Sequence, residues 1–435
     1  MTLLDLTPRA ATGDRLTGPP VAIIGAGPIG LAAAANLVER GIDFIVLEAG
    51  DSVGASVRMW GHTRLFSPWR HLVDPVSRRM LEATGWQSPD PDRAPSGAEL
   101  VEHYLEPLSR LDAIASRIRT GIEVIGVARR GMDRTRTRAR AETPFILRTR
   151  TGDVVGEVAA RAVIDASGTY RTPNSLSSDG LGLLGFDDIA DAVAPALPDV
   201  LGAERARFAG RRTTVVGAGH SAANTLLALA DLSAAEPGTE VTWLIRNRHA
   251  ARVTSSADDD LADRAALGRR VDRAIADGRI RVVDGFEIIR ARREQDRVEL
   301  LGLRRGEVAT HSTDVVVNAT GFRPDLSILR EIRLDLDDVV EAPRRLAPLI
   351  DPNVHSCGTV APHGFRELMH PENGFFVVGM KSYGRAPTFL LATGYEQVRS
   401  VTSWLAGDLA AASSVELVLP ATGVCSTGDR TGCCS

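Results

Sequence analysis

Three of the four cysteines in this 435-residue sequence, Cys425, Cys433 and Cys434, fall in the closing stretch "GVCSTGDRTGCCS". Thiolates are soft ligands. A vicinal pair with a third thiol across a Gly/Ser/Thr/Asp linker suits a three-coordinate As(III) or Sb(III), or a two-coordinate Hg(II). These three residues are therefore candidate metal ligands, and the pair could equally exchange disulfides with a substrate. The bland alternative is a frayed tail, but exposed thiols oxidise readily and are a liability without a use. Cys357 sits in "DPNVHSCGTVAPHGFRELMHPENG" (351–374) with His355, His363 and His370, in a spacing that matches no zinc pattern. It is either a reactive thiol lining a substrate cleft or a buried apolar filler. Lys381 is the only lysine; every other cationic side chain of the Lys/Arg class is arginine.

These groups need elements to position them. The segment "VAIIGAGPIGLAAAANLVERGIDFIVLEAG" (21–50) reads as strand, Gly-rich turn, helix and strand. Gly25 permits the tight turn, Gly27 lets backbone approach a pyrophosphate, and Gly30 lets the helix pack on the strand. The helix N-terminus faces the phosphates, and Glu48 ends the second strand where a carboxylate accepts ribose hydroxyls. The segment "RRTTVVGAGHSAANTLLALADLSAAEPGTEVTWLIRNRH" (211–249) repeats the unit, with Gly217, Gly219 and Ala222 in the glycine roles and Ser221 between the last two. Its second strand runs into Arg246 and Arg248 instead of an acid, which favours the 2′-phosphate of NADPH over NADH; a solvated strand end is the alternative. The segments "RAVIDASGTYRTPN" (161–174) and "DVVVNATGFRPD" (314–325) each run from a strand into Ala-Ser/Thr-Gly. Each predicts a sharp turn where the chain meets a cofactor or changes domain.

The ordered set GAGPIG…E, DASG, GAGHSA…R and ATGFRPD resembles the flavoproteins with two dinucleotide-binding domains, among them flavin-containing monooxygenases and thioredoxin-reductase-like enzymes. The resemblance spans residues 20–410. It implies an α/β fold in which a Rossmann-like NADPH domain (205–312) is inserted into a Rossmann-like FAD domain (18–185 and 313–408), between a flexible leader (1–17) and a flexible Cys-rich tail (409–435). By position it implies FAD contacts at Gly25, Gly27, Gly30 and Glu48, with Ala166, Ser167 and Gly168 nearby and Gly321 at the second crossing. NADPH contacts are implied at Gly217, Gly219, Ser221, Ala222, Arg246 and Arg248. The loop "SVRMWGHTRLFSPWR" (56–70) resembles one that lies along the flavin, making Arg58, Trp60 and Ser67 candidate contacts; an ordinary packing loop is the alternative. In "NGFFVVGMKSYGRAPTFLLATGYEQVRSVTSWLAGD" (373–408) a strand ends at Gly379, and a helix from around Pro387 is expected to point its N-terminus at the flavin, with Lys381 and Arg385 just before it. Lys381 then either stabilises the anionic reduced flavin or is an exposed loop residue.

Two departures limit what the resemblance implies. The FxGxxxHxxx(W/Y) pattern of the monooxygenase branch finds no His at the required place in 197–222, and residues 208–312 hold no cysteine for a thioredoxin-reductase CxxC. Mercuric reductase is similar in its C-terminal Cys-Cys pair, which hands metal to the flavin site of a partner subunit. It lends Cys433 and Cys434 a delivery role only.

With 44% hydrophobic and 24% charged residues and a net charge of −4, the chain reads as a soluble globular protein with no cationic excess for nucleic acid. It shows no apolar run long enough for a membrane helix and no secretory signal. So few cysteines make no disulfide framework and point to a reducing cytoplasm. The stretch "RRGMDRTRTRARAE" (129–142) is expected as an exposed strand pair, and 256–278 as a surface helix. The combined expectation is an FAD/NADPH oxidoreductase acting on a small-molecule or metalloid substrate, trivalent arsenic first. A monooxygenase of small organic nucleophiles and a low-turnover flavin sensor stand as alternatives, and a homodimer is left open.

Overall fold

The computed structural model describes residues 18–247, 262–351, 360–386 and 389–417; the four cysteines, Arg248 and Pro387 lie outside the described residues. In chain order, the strands of two parallel sheets are β1 (Val21–Ile24), β2 (Phe44–Leu47), β3 (Ile118–Arg119), β4 (Ala162–Asp165), β5 (Val193–Ala194), β6 (Arg212–Val216), β7 (Glu240–Leu244), β8 (Arg281–Val283), β9 (Val315–Asn318) and β10 (Phe375–Val377). The longer helices are α1 (Pro28–Glu39), α2 (His220–Ala235), α3 (Ala262–Ala276) and α4 (Leu391–Ala406). The described chain forms two compact units, 18–171 with 323–417, and 172–322.

The first unit is built on a sheet of order β10-β4-β1-β2-β3, every neighbouring pair parallel. β1 and β4 are buried at every position, which is why both read as short apolar runs without alternation. α1 is buried from Ile29 to Leu37, and the helix α4 packs on it. α4 buries hydroxyls as well as apolar groups: Thr402 and Ser403 donate within the helix to the carbonyls of Val398 and Arg399 at 2.8 Å, and Ser400 donates to the Ala412 carbonyl at 2.7 Å.

An antiparallel sheet (Glu123–Arg129, Phe145–Thr151, Val154–Ala160) belongs to the same unit. The stretch after Arg129, expected as an exposed strand pair, is a series of turns. Arg129 and Arg140 are buried because Glu372 accepts from both at 2.8 Å, a partner more than 200 residues away that no local pattern reveals.

The second unit has a parallel sheet of order β8-β7-β6-β9-β5 and an antiparallel one from Phe286–Glu294, Arg297–Arg304 and Glu307–Thr313. β9, which the sequence reading assigned to the returning FAD segment, pairs with β6 in the register Val316↔Thr214 and belongs to this unit. Hydrogen bonding along its whole length decides that, and sequence position does not.

Candidate functional site

The turn from β1 into α1 is built from three glycines with different tasks. Gly25 has φ +97°, and a Cβ there would stand 2.9 Å from the Ala166 carbonyl oxygen. At Gly30 a Cβ would overlap the Gly25 carbonyl oxygen. Gly27, the N-cap of α1, has an ordinary φ of −78° and no protein atom within 4 Å of where its Cβ would be. Nothing inside the fold requires glycine at Gly27, so its missing side chain leaves room for something that approaches from outside. α1 has no side-chain cap and no acid in its first turn, so its leading N–H groups lack a side-chain acceptor.

Glu48 closes the rim of this turn. Its Oε2 accepts from Ala26 N at 2.6 Å and its Oε1 from Gly50 N at 2.7 Å. Each carboxylate oxygen keeps lone-pair capacity for a hydroxyl, so these residues fit an adenosine ribose with its pyrophosphate over Gly27.

At the end of β4, Asp165 is fully buried, and Lys381 Nζ lies 2.7 Å from its Oδ2 and 3.1 Å from Ser167 Oγ. Ser167 donates to Asp165 Oδ1 through both its hydroxyl (2.7 Å) and its amide (3.1 Å). The sole lysine is thus an interior residue with its charge committed to Asp165, not an exposed loop lysine. The same turn (Gly379–Tyr383) is anchored to α4: Gly379 N donates to Gln397 Oε1 at 2.7 Å, and Gln397 Nε2 donates to Ser382 Oγ at 3.0 Å and to His363 Nε2 at 2.9 Å. His363 Nδ1 donates to the Ala361 carbonyl at 3.0 Å, and burial lowers the ring's pKa, so the neutral tautomer fits both bonds.

The other flavin-side candidates are more dispersed. Arg58 is exposed and pairs with Glu106, while Trp60 is half-buried against Gly97. Ser67 is half-buried, and Arg385 pairs at the surface with Glu341 at 2.9 Å. α4 starts at Leu391 without a side-chain cap.

The second unit repeats the design. Gly217 has φ +127°, and a Cβ there would overlap the Ala319 carbonyl oxygen. Gly219 caps α2 with φ −86° and open space around it, followed by Ser221 and the fully buried Ala222 in the first turn. Asn318 takes the place Asp165 has in the first unit: Thr320 Oγ1 donates to Asn318 Oδ1 at 2.7 Å, and Asn318 Nδ2 donates to the Asn174 carbonyl at 2.9 Å. Gly321 follows with φ +94°. Arg246 is exposed and donates to the Ser178 carbonyl at 2.8 Å. The sequence reading missed Asp165, Asn318, Gln397 and Asn174; the available signal for the first was a carboxylate closing the apolar strand "AVID" in a chain with one lysine. Among the described residues no His/Cys/Asp/Glu cluster could hold a metal ion, and no helix is long and apolar enough to cross a membrane.

A family model described as pyridine nucleotide-disulphide oxidoreductase matches residues 22–356. A curated relative, flavin-containing monooxygenase FMO GS-OX-like 2 of Arabidopsis thaliana, is 27% identical over 195 residues, 39% of this chain and 39% of its own length. The match therefore spans about two fifths of that relative. Among solved structures, bacillithiol disulfide reductase Bdr (YpdA) from Bacillus cereus aligns with a TM-score of 0.63 at 20% identity, covering 88% of this chain and 99% of that one. DfoA of Erwinia amylovora, a cadaverine monooxygenase of desferrioxamine biosynthesis solved with FAD, aligns with a TM-score of 0.60 at 14% identity, covering 94% and 99%. At these identities the two structures speak to the fold.

Proposed function

This chain belongs to the pyridine nucleotide-disulphide oxidoreductase family, an enzyme family, and from that membership we propose that it is an FAD-dependent oxidoreductase drawing its electrons from NADPH. The observation that carries the reading is the pair of open glycines, Gly27 and Gly219, each at an uncapped helix N-terminus beside a glycine that packing alone demands. Bound FAD would supply the two-electron chemistry, taking a hydride from NADPH and passing electrons to the substrate or to O2. The chain's own residues bind and orient: Glu48 toward the ribose of FAD, the α1 and α2 N-termini toward the two pyrophosphates, and Arg246 toward the 2′-phosphate.

For the substrate we infer a soft, thiophilic species, a trivalent arsenical or other metalloid, a metal ion or a thiol compound, which would either be reduced by the flavin's electrons or be oxidised with O2 as the electron acceptor. Cys425, Cys433 and Cys434 would recruit it. What supports this is their clustering at the end of a chain that holds no cysteine in 208–312. A second reading, oxygen-dependent oxidation of a small organic nucleophile, is favoured by the likeness to a flavin-containing monooxygenase.

The test follows NADPH consumption and oxygen uptake by the purified yellow protein with As(III), Hg(II), disulfides, amines and sulfides. It is repeated after Cys425, Cys433 and Cys434 are changed to Ser. Turnover with As(III) or Hg(II) that disappears in the triple variant supports the first reading. Oxygen uptake with an amine or sulfide that survives it supports the second. A colourless protein that takes up no FAD overturns both.

A further inference from the structure

We propose that Lys381 is a positioning residue for the FAD turn, holding the bend at Asp165–Gly168 against Gly25 and so tying nucleotide binding to the chain segment that follows β10. The inference rests on the FAD reading of the first unit. The argument is a comparison within one molecule. Both units place an Asx-type bend after the strand beside the Gly-rich turn, and both bends present an alanine carbonyl to the first glycine of that turn, Ala166 to Gly25 and Ala319 to Gly217.

In the second unit the bend is neutral: Asn318 accepts from Thr320 and donates to the Asn174 carbonyl. In the first unit it is built on a fully buried carboxylate, which needs a counter-charge. Lys381, with 1% of its side chain exposed, supplies it at 2.7 Å and also reaches Ser167 Oγ at 3.1 Å. The bend is further clamped by Val378 N, which donates to the Asp165 carbonyl at 2.9 Å. Lys381 is itself held in place because the next residue, Ser382, joins Gly379 and Gln397 in one hydrogen-bonded group. A residue 216 positions downstream in the chain thus sets the floor under Gly25.

The experiment uses the full chain and two variants: Lys381→Met, and the double variant Asp165→Asn/Lys381→Met, which copies the neutral bend of the second unit. FAD affinity is read by flavin fluorescence, NADP+ affinity by thermal shift, and the flavin by its visible spectrum and midpoint potential. Lys381→Met is expected to weaken FAD binding by roughly tenfold or more, leave NADP+ affinity unchanged and perturb the flavin spectrum, with the double variant recovering most of the loss. Lys381→Met with wild-type FAD affinity, or with FAD and NADP+ weakened alike, overturns the inference alone. If Lys381→Met does not fold, the double variant decides: failure of Asp165→Asn/Lys381→Met to fold, or equal loss of FAD and NADP+ affinity in it, also overturns the inference. Wild-type protein that takes up no FAD overturns the functional reading and this inference with it.

Discussion

Gly217 is pressed against the carbonyl of Ala319 so closely that a methyl group on its Cα would overlap the oxygen, and its φ of +127° is one that side chains rarely adopt. Gly217→Ala is therefore expected to destabilise the fold itself, by about 3 kcal/mol or more from backbone strain and displaced packing. Chemical denaturation checks this. A variant with the wild-type midpoint would show that the neighbouring strand end yields.

Gly27 and Gly219 predict the opposite pattern. Both sit at helix N-caps with ordinary φ and open space, so Ala costs only about 1 kcal/mol of stability there. Ligand binding should suffer instead: Gly27→Ala loses FAD affinity and Gly219→Ala loses NADPH affinity, each by roughly tenfold or more, because the added methyl stands where a pyrophosphate must approach. Paired melting and titration measurements separate the two effects. Equal loss of both nucleotides in either variant would contradict the assignment.

Glu372 is expected to matter for stability and not for turnover. Burial pushes its carboxyl up, but hydrogen bonds from Arg140 and Arg129 more than offset this and hold its pKa below the usual glutamate value. Glu372→Ala leaves two buried guanidiniums without their shared anion and should cost about 3–5 kcal/mol. The group's contribution is present above the ordinary glutamate range and is lost as the pH falls below it. Denaturation curves of the variant and wild type near neutral pH test the magnitude.

Two buried histidines predict an acid limb at milder pH. Burial drives His370 down to about 4 and His311 down to about 4, the latter aided by Arg281, Arg212 and Arg304. Each ring is then neutral when folded and protonates more readily when unfolded. Their stabilisation is complete above the ordinary value of 6.5 and lost as pH falls from there toward 4, up to about 3 kcal/mol for each. Melting temperature should fall across that window. His311→Gln, which keeps a polar group for Thr214, should flatten the slope by about one proton's worth.

Much of this architecture was legible locally. The strands that open each unit and the turns after them are found close to their expected places because turn, strand and helix start are specified by adjacent residues. α4 starts at Leu391 instead of near Pro387. The stretch after Arg129 was misread because charge alternation looks like an exposed ribbon until Glu372 is brought to it. The membership of β9 was misread because the sequence does not say which strand a four-residue apolar run will pair with.

The sequence by itself determined where the two Gly-rich turns fall, since apolar strand, glycine spacing and helix start are written in adjacent residues. Only the tertiary structure decided what Lys381 is for. Whether a lone lysine is solvated or buried depends on which distant carboxylate the fold carries to it, and here strand β10 brings it to Asp165, whose buried charge has a counter-ion only once both ends of the unit have folded together.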